Sequence, residues 1–211
     1  MFPYRYIAIE GNIGAGKTSL AQIISTKYNT HLVLEEFAEN TFLTQFYQNP
    51  ERWAFPLELS FLAERYQQLK QRQDEAKSDN AKLVSDYIFE KSLLFAKVNL
   101  QPQEWELFNR FYLIMKPNLN PPDLVIYLAR SPQALIKNIQ KRGRDFEQAI
   151  NTVYLDKVTL QYEKYLQEQQ QFPVLFIQSD ELDFVNRADD LRYILSLLGQ
   201  KHEKGVVMLN Y

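Results

Sequence analysis

The chain has 211 residues, a formal net charge of −2, 45% apolar and 24% charged residues, no cysteine and only two histidines, His31 and His202. That balance predicts one ordinary globular domain and gives no global pull toward nucleic acid or an acidic membrane. It excludes disulfides, thiolate metal sites, cysteine nucleophiles and a histidine-rich metal centre.

The first element predicted is a strand in YRYIAIE (4–10). It begins so early that the N-terminus is not read as a signal peptide, and no apolar run reaches the roughly 18 residues of a membrane span. A cytoplasmic protein is expected. GNIGAGKT (11–18) follows and fits G-x-x-x-x-G-K-[ST] in full, between a predicted strand and a predicted helix. Gly11, Gly14 and Gly16 permit the backbone turns; Asn12, Ile13 and Ala15 supply main-chain amides to an anion nest. Lys17 can reach outer phosphates and Thr18 can ligate Mg²⁺. The loop therefore predicts a bound polyphosphate, with ATP as donor, but not what receives the phosphoryl group.

Further apolar runs are HLVLEE (31–36), KLVSDY (82–87), DLVIYLA (123–129) and PVLFIQ (173–178). Their near-continuous hydrophobicity suits strands buried on both faces, and the long intervals suit helical crossovers. The expectation is an α/β fold, a five-stranded parallel sheet flanked by helices with a small helical lid at about 138–150, in one domain over 1–211. Ligands of such sheets bind beyond the strand carboxyl ends. There the sequence places Glu10, Glu35 or Glu36, and Asp86. The polar stretch 71–82 is read as a surface loop and 165–172 as a helix end.

A GTPase would carry N-K-x-D, and a motor ATPase a strand ending in D-E; the chain has neither where needed. A small-molecule kinase remains. In FPLELSFLAERYQQL, Phe55, Leu59, Leu62, Tyr66 and Leu69 form a helical stripe. Glu58 and Arg65, seven apart, lie at one edge of it, about 20° from each other in projection. Should the acceptor be a nucleoside, as the family resemblance given next implies, the carboxylate would accept from the N1–H and 2-amino donors of guanine and the arginine would bridge O6 and N7. Phe95 and Trp53 are candidates to stack on the base, or else core residues.

With these motifs on the page, the chain resembles the deoxynucleoside kinases, through GNIGAGKTSL, 34–69, SDYIFEKSLLFAK (85–97) and KRGRDFE (141–147). The detail is closest to the bacterial deoxyguanosine and deoxyadenosine enzymes. The resemblance implies a P-loop kinase fold, usually a homodimer. It implies Glu35 as general base, Glu36 being the competitor on the other side of the strand, and Asp86 as a carboxylate near Mg²⁺. It implies Tyr47 and Glu147 on the sugar 3′-hydroxyl, and Arg142 and Arg144 on the phosphates. Two departures stand out: Tyr87 and Asn138 occupy positions where many relatives carry arginine. The rival acceptor, a nucleoside monophosphate, would need basic residues in LEEFAEN, which offers Glu35, Glu36 and Glu39 instead.

Overall fold

The computed structural model describes residues 2–36 and 40–210. Its elements run β1 (Tyr6–Glu10), α1 (Lys17–Tyr28), β2 (His31–Val33), α2 (Thr41–Gln48), α3 (Pro50–Ser78), β3 (Leu83–Ser85), α4 (Lys91–Asn99), α5 (Pro102–Met115), β4 (Leu124–Ala129), α6 (Pro132–Arg142), α7 (Thr152–Glu168), β5 (Pro173–Gln178), α8 (Ala188–Leu198) and β6 (Gly205–Asn210). The strands form one parallel sheet in the order β2-β3-β1-β4-β5-β6.

Period-two alternation along the central strands splits the core. Ile7, Ile9, Leu124, Ile126 and Leu128 pack on one face with Leu20, Ile24, Leu135 and Ile194 from α1, α6 and α8. Tyr6, Ala8, Val125 and Tyr127 pack on the other with Leu62, Phe95, Phe108 and Tyr162 from α3, α4, α5 and α7. Helices thus cover both sides, which is why these strands read as unbroken apolar runs.

The sheet has six strands, not five. The missed one, GVVMLN, is an edge strand paired only with β5, and its Met208 is 59% exposed. A half-buried edge gives a weaker hydrophobic signal than a central strand. The expected loop at 71–82 is also corrected, because α3 runs on to Ser78. Its polar residues are strong helix formers, and Lys70–Asp74 (3.0 Å) and Arg72–Glu75 (2.8 Å) brace the surface at helical spacing. Pro50 opens α3, where its missing N–H removes no ladder bond; Pro56, six residues on, lies inside the helix and removes one, and the helix continues past it.

Candidate functional site

The phosphate loop leaves β1 and enters α1 through Gly16, whose backbone is left-handed (φ 96°). Glycine at the helix start puts no side chain over the first N–H groups of α1, which stay open to an anion. Gly14 is constrained twice: φ is +84°, and a Cβ there would stand 2.8 Å from the carbonyl oxygen of Leu135. Of the amides expected in the anion nest, two are already bonded inside the loop: Ile13 N–H donates to Asn12 Oδ1 at 2.7 Å and Ala15 N–H to the Asn12 carbonyl at 3.1 Å. The side-chain amide nitrogen of Asn12 points away from the cradle: Nδ2 donates to the Leu155 carbonyl and to Thr159 Oγ1, both at 2.8 Å. Lys17 Nζ rests on the Asn12 carbonyl at 3.0 Å. Burial and the nearby Lys91 bring its ammonium down to about 8, against the pull of Glu10, Glu35 and Asp86.

The three strand-end carboxylates part company here. Glu10 is fully buried and structural: its oxygens accept from Gly11 N (3.0 Å), Ile88 N (2.8 Å) and Tyr162 Oη (2.8 Å). It ties the loop to the segments that face it. Asp86 accepts from Thr18 Oγ1 at 2.6 Å and from the Glu35 backbone N–H at 2.8 Å. The two oxygen ligands expected for Mg²⁺ therefore already touch. Among the described residues no three His, Cys, Asp or Glu gather as a metal cage. A hydroxyl and a carboxylate side by side suit a cation that takes one or two protein oxygens and fills its shell with phosphate and water.

Glu35 lies just past β2 and reaches into the cleft, whereas Glu36 is exposed. Arg65 donates to Glu35 Oε1 through Nε (2.9 Å) and NH2 (2.7 Å), and Lys91 Nζ donates to Oε2 at 2.5 Å. Burial alone would raise the Glu35 carboxyl. Lys91 and Arg65 outweigh it and hold the group well below the usual carboxylate range. Tyr87 takes no part in this clamp. It is fully buried and donates to Gln68 Oε1 at 2.8 Å. Lys91, at the start of α4 and a helical turn further on, reaches Glu35 instead.

An open cleft of about 750 Å³ is lined by residues of the phosphate loop, Glu35, Glu58, Tyr47 and Glu147. Glu58 is 2% exposed; Asn99 Nδ2 donates to its Oε1 at 2.6 Å. Its Oε2 has no hydrogen-bond partner among the described residues. Burial pushes the carboxyl up to about 7, opposed by Arg65 and Asn99. The expected Glu58–Arg65 clamp is thus altered. Arg65 spends three N–H groups on Glu35 and Ser92 Oγ (2.9 Å), while Glu58 takes Asn99 as its partner. Phe95 lines the cleft and meets Tyr162 edge-on at 6.4 Å. Trp53 does not line it; its ring stacks on Phe42 at 5.9 Å.

At the end of α6 and just beyond it, Glu147 is held by Arg142 (3.0 and 2.5 Å) and Arg144 (3.2 Å). Tyr47 stacks on Phe146 with ring centroids 6.4 Å apart, and burial with the charge of Glu147 raises its phenol. The expected Tyr47–Glu147 pair therefore converges on the cleft, while the arginines expected on phosphate rest on the glutamate. Asn138 Nδ2 donates to the Gly14 carbonyl at 2.8 Å and pins α6 to the loop. Glu39 lies outside the described residues.

Sequence reasoning missed Lys91, Ser92 and Asn99. The available signal was their i, i+1 and i+8 spacing on one short helix facing the cleft, but nothing marked that face as polar rather than core.

A parallel sheet with this loop at the edge of β1, a hydroxyl and a carboxylate beside it, and an acidic cleft beyond defines a nucleotide-dependent phosphotransferase of the P-loop kinase fold. The family model described as "Deoxynucleoside kinase" matches residues 7–202, and the chain belongs to that family. A deoxyguanosine kinase of Bacillus subtilis is 37% identical over 193 residues, covering 90% of this chain and 93% of the relative. A deoxyadenosine kinase of Lactobacillus acidophilus is 31% identical over 209 residues, covering 92% and 95%. Among solved structures, deoxyadenosine kinase from M. mycoides with bound dCTP superimposes with a TM-score of 0.77 at 27% identity, over 92% of this chain and 98% of that one.

Proposed function

We propose that the chain transfers the terminal phosphoryl of ATP to the 5′-hydroxyl of a purine deoxyribonucleoside, with deoxyguanosine preferred. One observation carries the base preference: the buried Glu58 carboxylate keeps Oε2 unpartnered inside the cleft. An unmatched buried acceptor costs roughly 1–3 kcal/mol, so a base that presents N–H donors there is favoured. Guanine presents two, N1–H and the 2-amino group; adenine presents an acceptor at N1. Arg65 retains two of its five N–H groups beyond the three bonds above and can offer them to O6 and N7. Phe95 is the stacking candidate.

In this reading the cleft is used in order. Main-chain amides of the loop 11–18 other than those of Gly11, Ile13 and Ala15, which already bond within the protein, hold the triphosphate together with Lys17. Tyr47 and Glu147 take the sugar 3′-hydroxyl. Glu35 accepts the 5′-hydroxyl proton as that oxygen bonds to phosphorus. Arg142 and Arg144 leave Glu147 for the phosphates once these arrive, since a doubly charged phosphate oxygen array outbids a carboxylate already shared with sugar. Thr18 and Asp86 would hold Mg²⁺, which when bound neutralises phosphate charge.

A second reading has an observation of its own. The Glu58 carboxyl is pushed up to about 7, and a protonated Glu58 offers one donor and one acceptor, which suits adenine. Deoxyadenosine is therefore the proposed alternative substrate. We further propose a cytoplasmic homodimer. Leu107, Phe111 and Ile114, at i, i+4 and i+7 on α5, expose 38%, 38% and 70% of their surface, and a second copy would cover such a stripe. Light scattering of the purified chain reads the oligomer directly.

The deciding assay uses purified protein, Mg²⁺-ATP, each of the four deoxynucleosides and guanosine. Deoxyguanosine is expected to give the highest kcat/KM and guanosine a much lower one. No turnover with any deoxynucleoside overturns the kinase reading; a pyrimidine preference overturns the role of Glu58.

A further inference from the structure

Lys91 is the first residue of α4, is 4% exposed and carries its ammonium into the cleft. Three features set it apart from a buried structural cation. Among the described residues its one ion pair is with Glu35 Oε2, at 2.5 Å, whereas Oε1 of the same carboxylate is filled by two N–H groups of Arg65. A substrate hydroxyl can therefore reach Glu35 only at Oε2, next to Lys91 Nζ. Second, Lys91 and Lys17 of the phosphate loop line the same cleft. Two cations bordering one space favour an anion there. Third, the phosphate loop and the residues proposed to hold the nucleoside line the same cleft as Lys91, so a phosphoryl passing from one to the other crosses the space that Lys91 borders.

We propose that Lys91 is a catalytic residue, clamping Glu35 in the free protein and donating to the 5′-oxygen and the transferring phosphoryl when both substrates are bound. The inference rests on the kinase reading with Glu35 as base. In the step, the 5′-O–H bond breaks and its proton passes to Glu35 Oε2. The 5′-oxygen uses that electron pair to bond to the γ-phosphorus. The bond from the γ-phosphorus to the bridging oxygen breaks, and its pair leaves with ADP. Lys91 stays protonated throughout. Its N–H moves from Glu35 to the oxygens where charge gathers, which also frees Glu35 of one cation when it must accept a proton.

The test compares the full-length protein with Lys91→Met and Lys91→Arg, under Mg²⁺-ATP and deoxyguanosine. Loss of one aimed donor predicts a fall in kcat of about 10²–10³-fold in Lys91→Met. KM for deoxyguanosine and the ATP dissociation constant should stay within about threefold. Lys91→Arg should regain at least about tenfold over Lys91→Met, because it restores the donor. A purely structural lysine would instead show its loss in melting temperature and in KM. The inference is overturned if kcat of Lys91→Met stays within about threefold of the unsubstituted protein, or if the loss lies in KM alone. It is also overturned if Lys91→Arg is no better than the methionine variant. Should Lys91→Met fail to fold, Lys91→Gln takes its place on the same criteria. An unsubstituted protein inactive with every deoxynucleoside overturns both readings; an active one indifferent to Lys91→Met overturns this one alone.

Discussion

The two halves of the cleft are built by opposite means. The phosphate half is backbone: eight consecutive residues, glycines at positive φ and an uncapped helix start. The nucleoside half is side chain, with three carboxylates each held by cations or an amide from elsewhere in the chain: Glu35 by Arg65 and Lys91, Glu58 by Asn99, Glu147 by Arg142 and Arg144. Main-chain donors cannot be substituted away one at a time and recognise any polyphosphate. Paired side chains can, and that is where selectivity belongs.

This contrast can be broken most severely at Glu35. Glu35→Gln removes the proton acceptor and should lower kcat by about 10²–10⁴-fold while ATP binding, measured by calorimetry, stays near the unsubstituted value. Unchanged turnover would refute the base assignment. Next comes the backbone half. Gly14→Ala sets a methyl 2.8 Å from the Leu135 carbonyl at a left-handed φ, costing on the order of 1–3 kcal/mol. ATP affinity and melting temperature should fall together, for every acceptor alike.

Glu58→Gln should do the reverse. ATP binding is untouched, but the ratio of kcat/KM for deoxyguanosine over deoxyadenosine should drop about tenfold to a hundredfold. An unaltered ratio would end the base-reading argument. The same ratio should vary with pH in the unsubstituted protein. Glu58 faces Arg65 on its own helix, Asn99 and Lys91 on α4, Tyr154 on α7, Tyr47 on α2, and Glu35. Its carboxyl sits near 7, above its unfolded value of 4.5. It is therefore ionised and selects guanine above about pH 7; below, it takes up a proton and tolerates adenine. The ratio should fall as pH drops from 8 to 6. Because the folded state then binds the extra proton, this group also makes the free protein more stable as pH falls from about 7 toward 4.5. Glu35 is shifted the opposite way, so its stabilisation is present above the ordinary carboxylate pKa and is lost only in stronger acid. A ratio flat from pH 8 to 6 would place the Glu58 titration elsewhere.

The same division explains what the sequence disclosed. The phosphate loop is contiguous and its glycines answer local backbone demands, so eight letters suffice. Buried central strands such as IAI in β1 and LVIYL in β4 announce themselves by composition. β6 did not, since an edge strand with an outward Met208 lacks the signal of burial on both faces. The helical tail of α3 did not either, because solvent-facing helix and polar loop share residue types. The clamp on Glu35 was hidden for another reason. Lys91 is 56 residues away and Asn99 is 41 from Glu58; only the fold brings them together. Arg65 was visible as a cleft residue, but its choice of Glu35 over a base edge depends on rotamer and distance, which spacing alone does not encode.

Asn12 spends its amide on the backbone of Leu155 and the hydroxyl of Thr159, 143 and 147 positions along the chain. The nucleotide grip is thereby bolted to the inner side of a helix whose outer side faces solvent. A Thr159→Val exchange, which touches no phosphate, should loosen ATP modestly, by a few-fold for one lost hydrogen bond. The inner side of α7 is thereby part of what holds the phosphate loop in place.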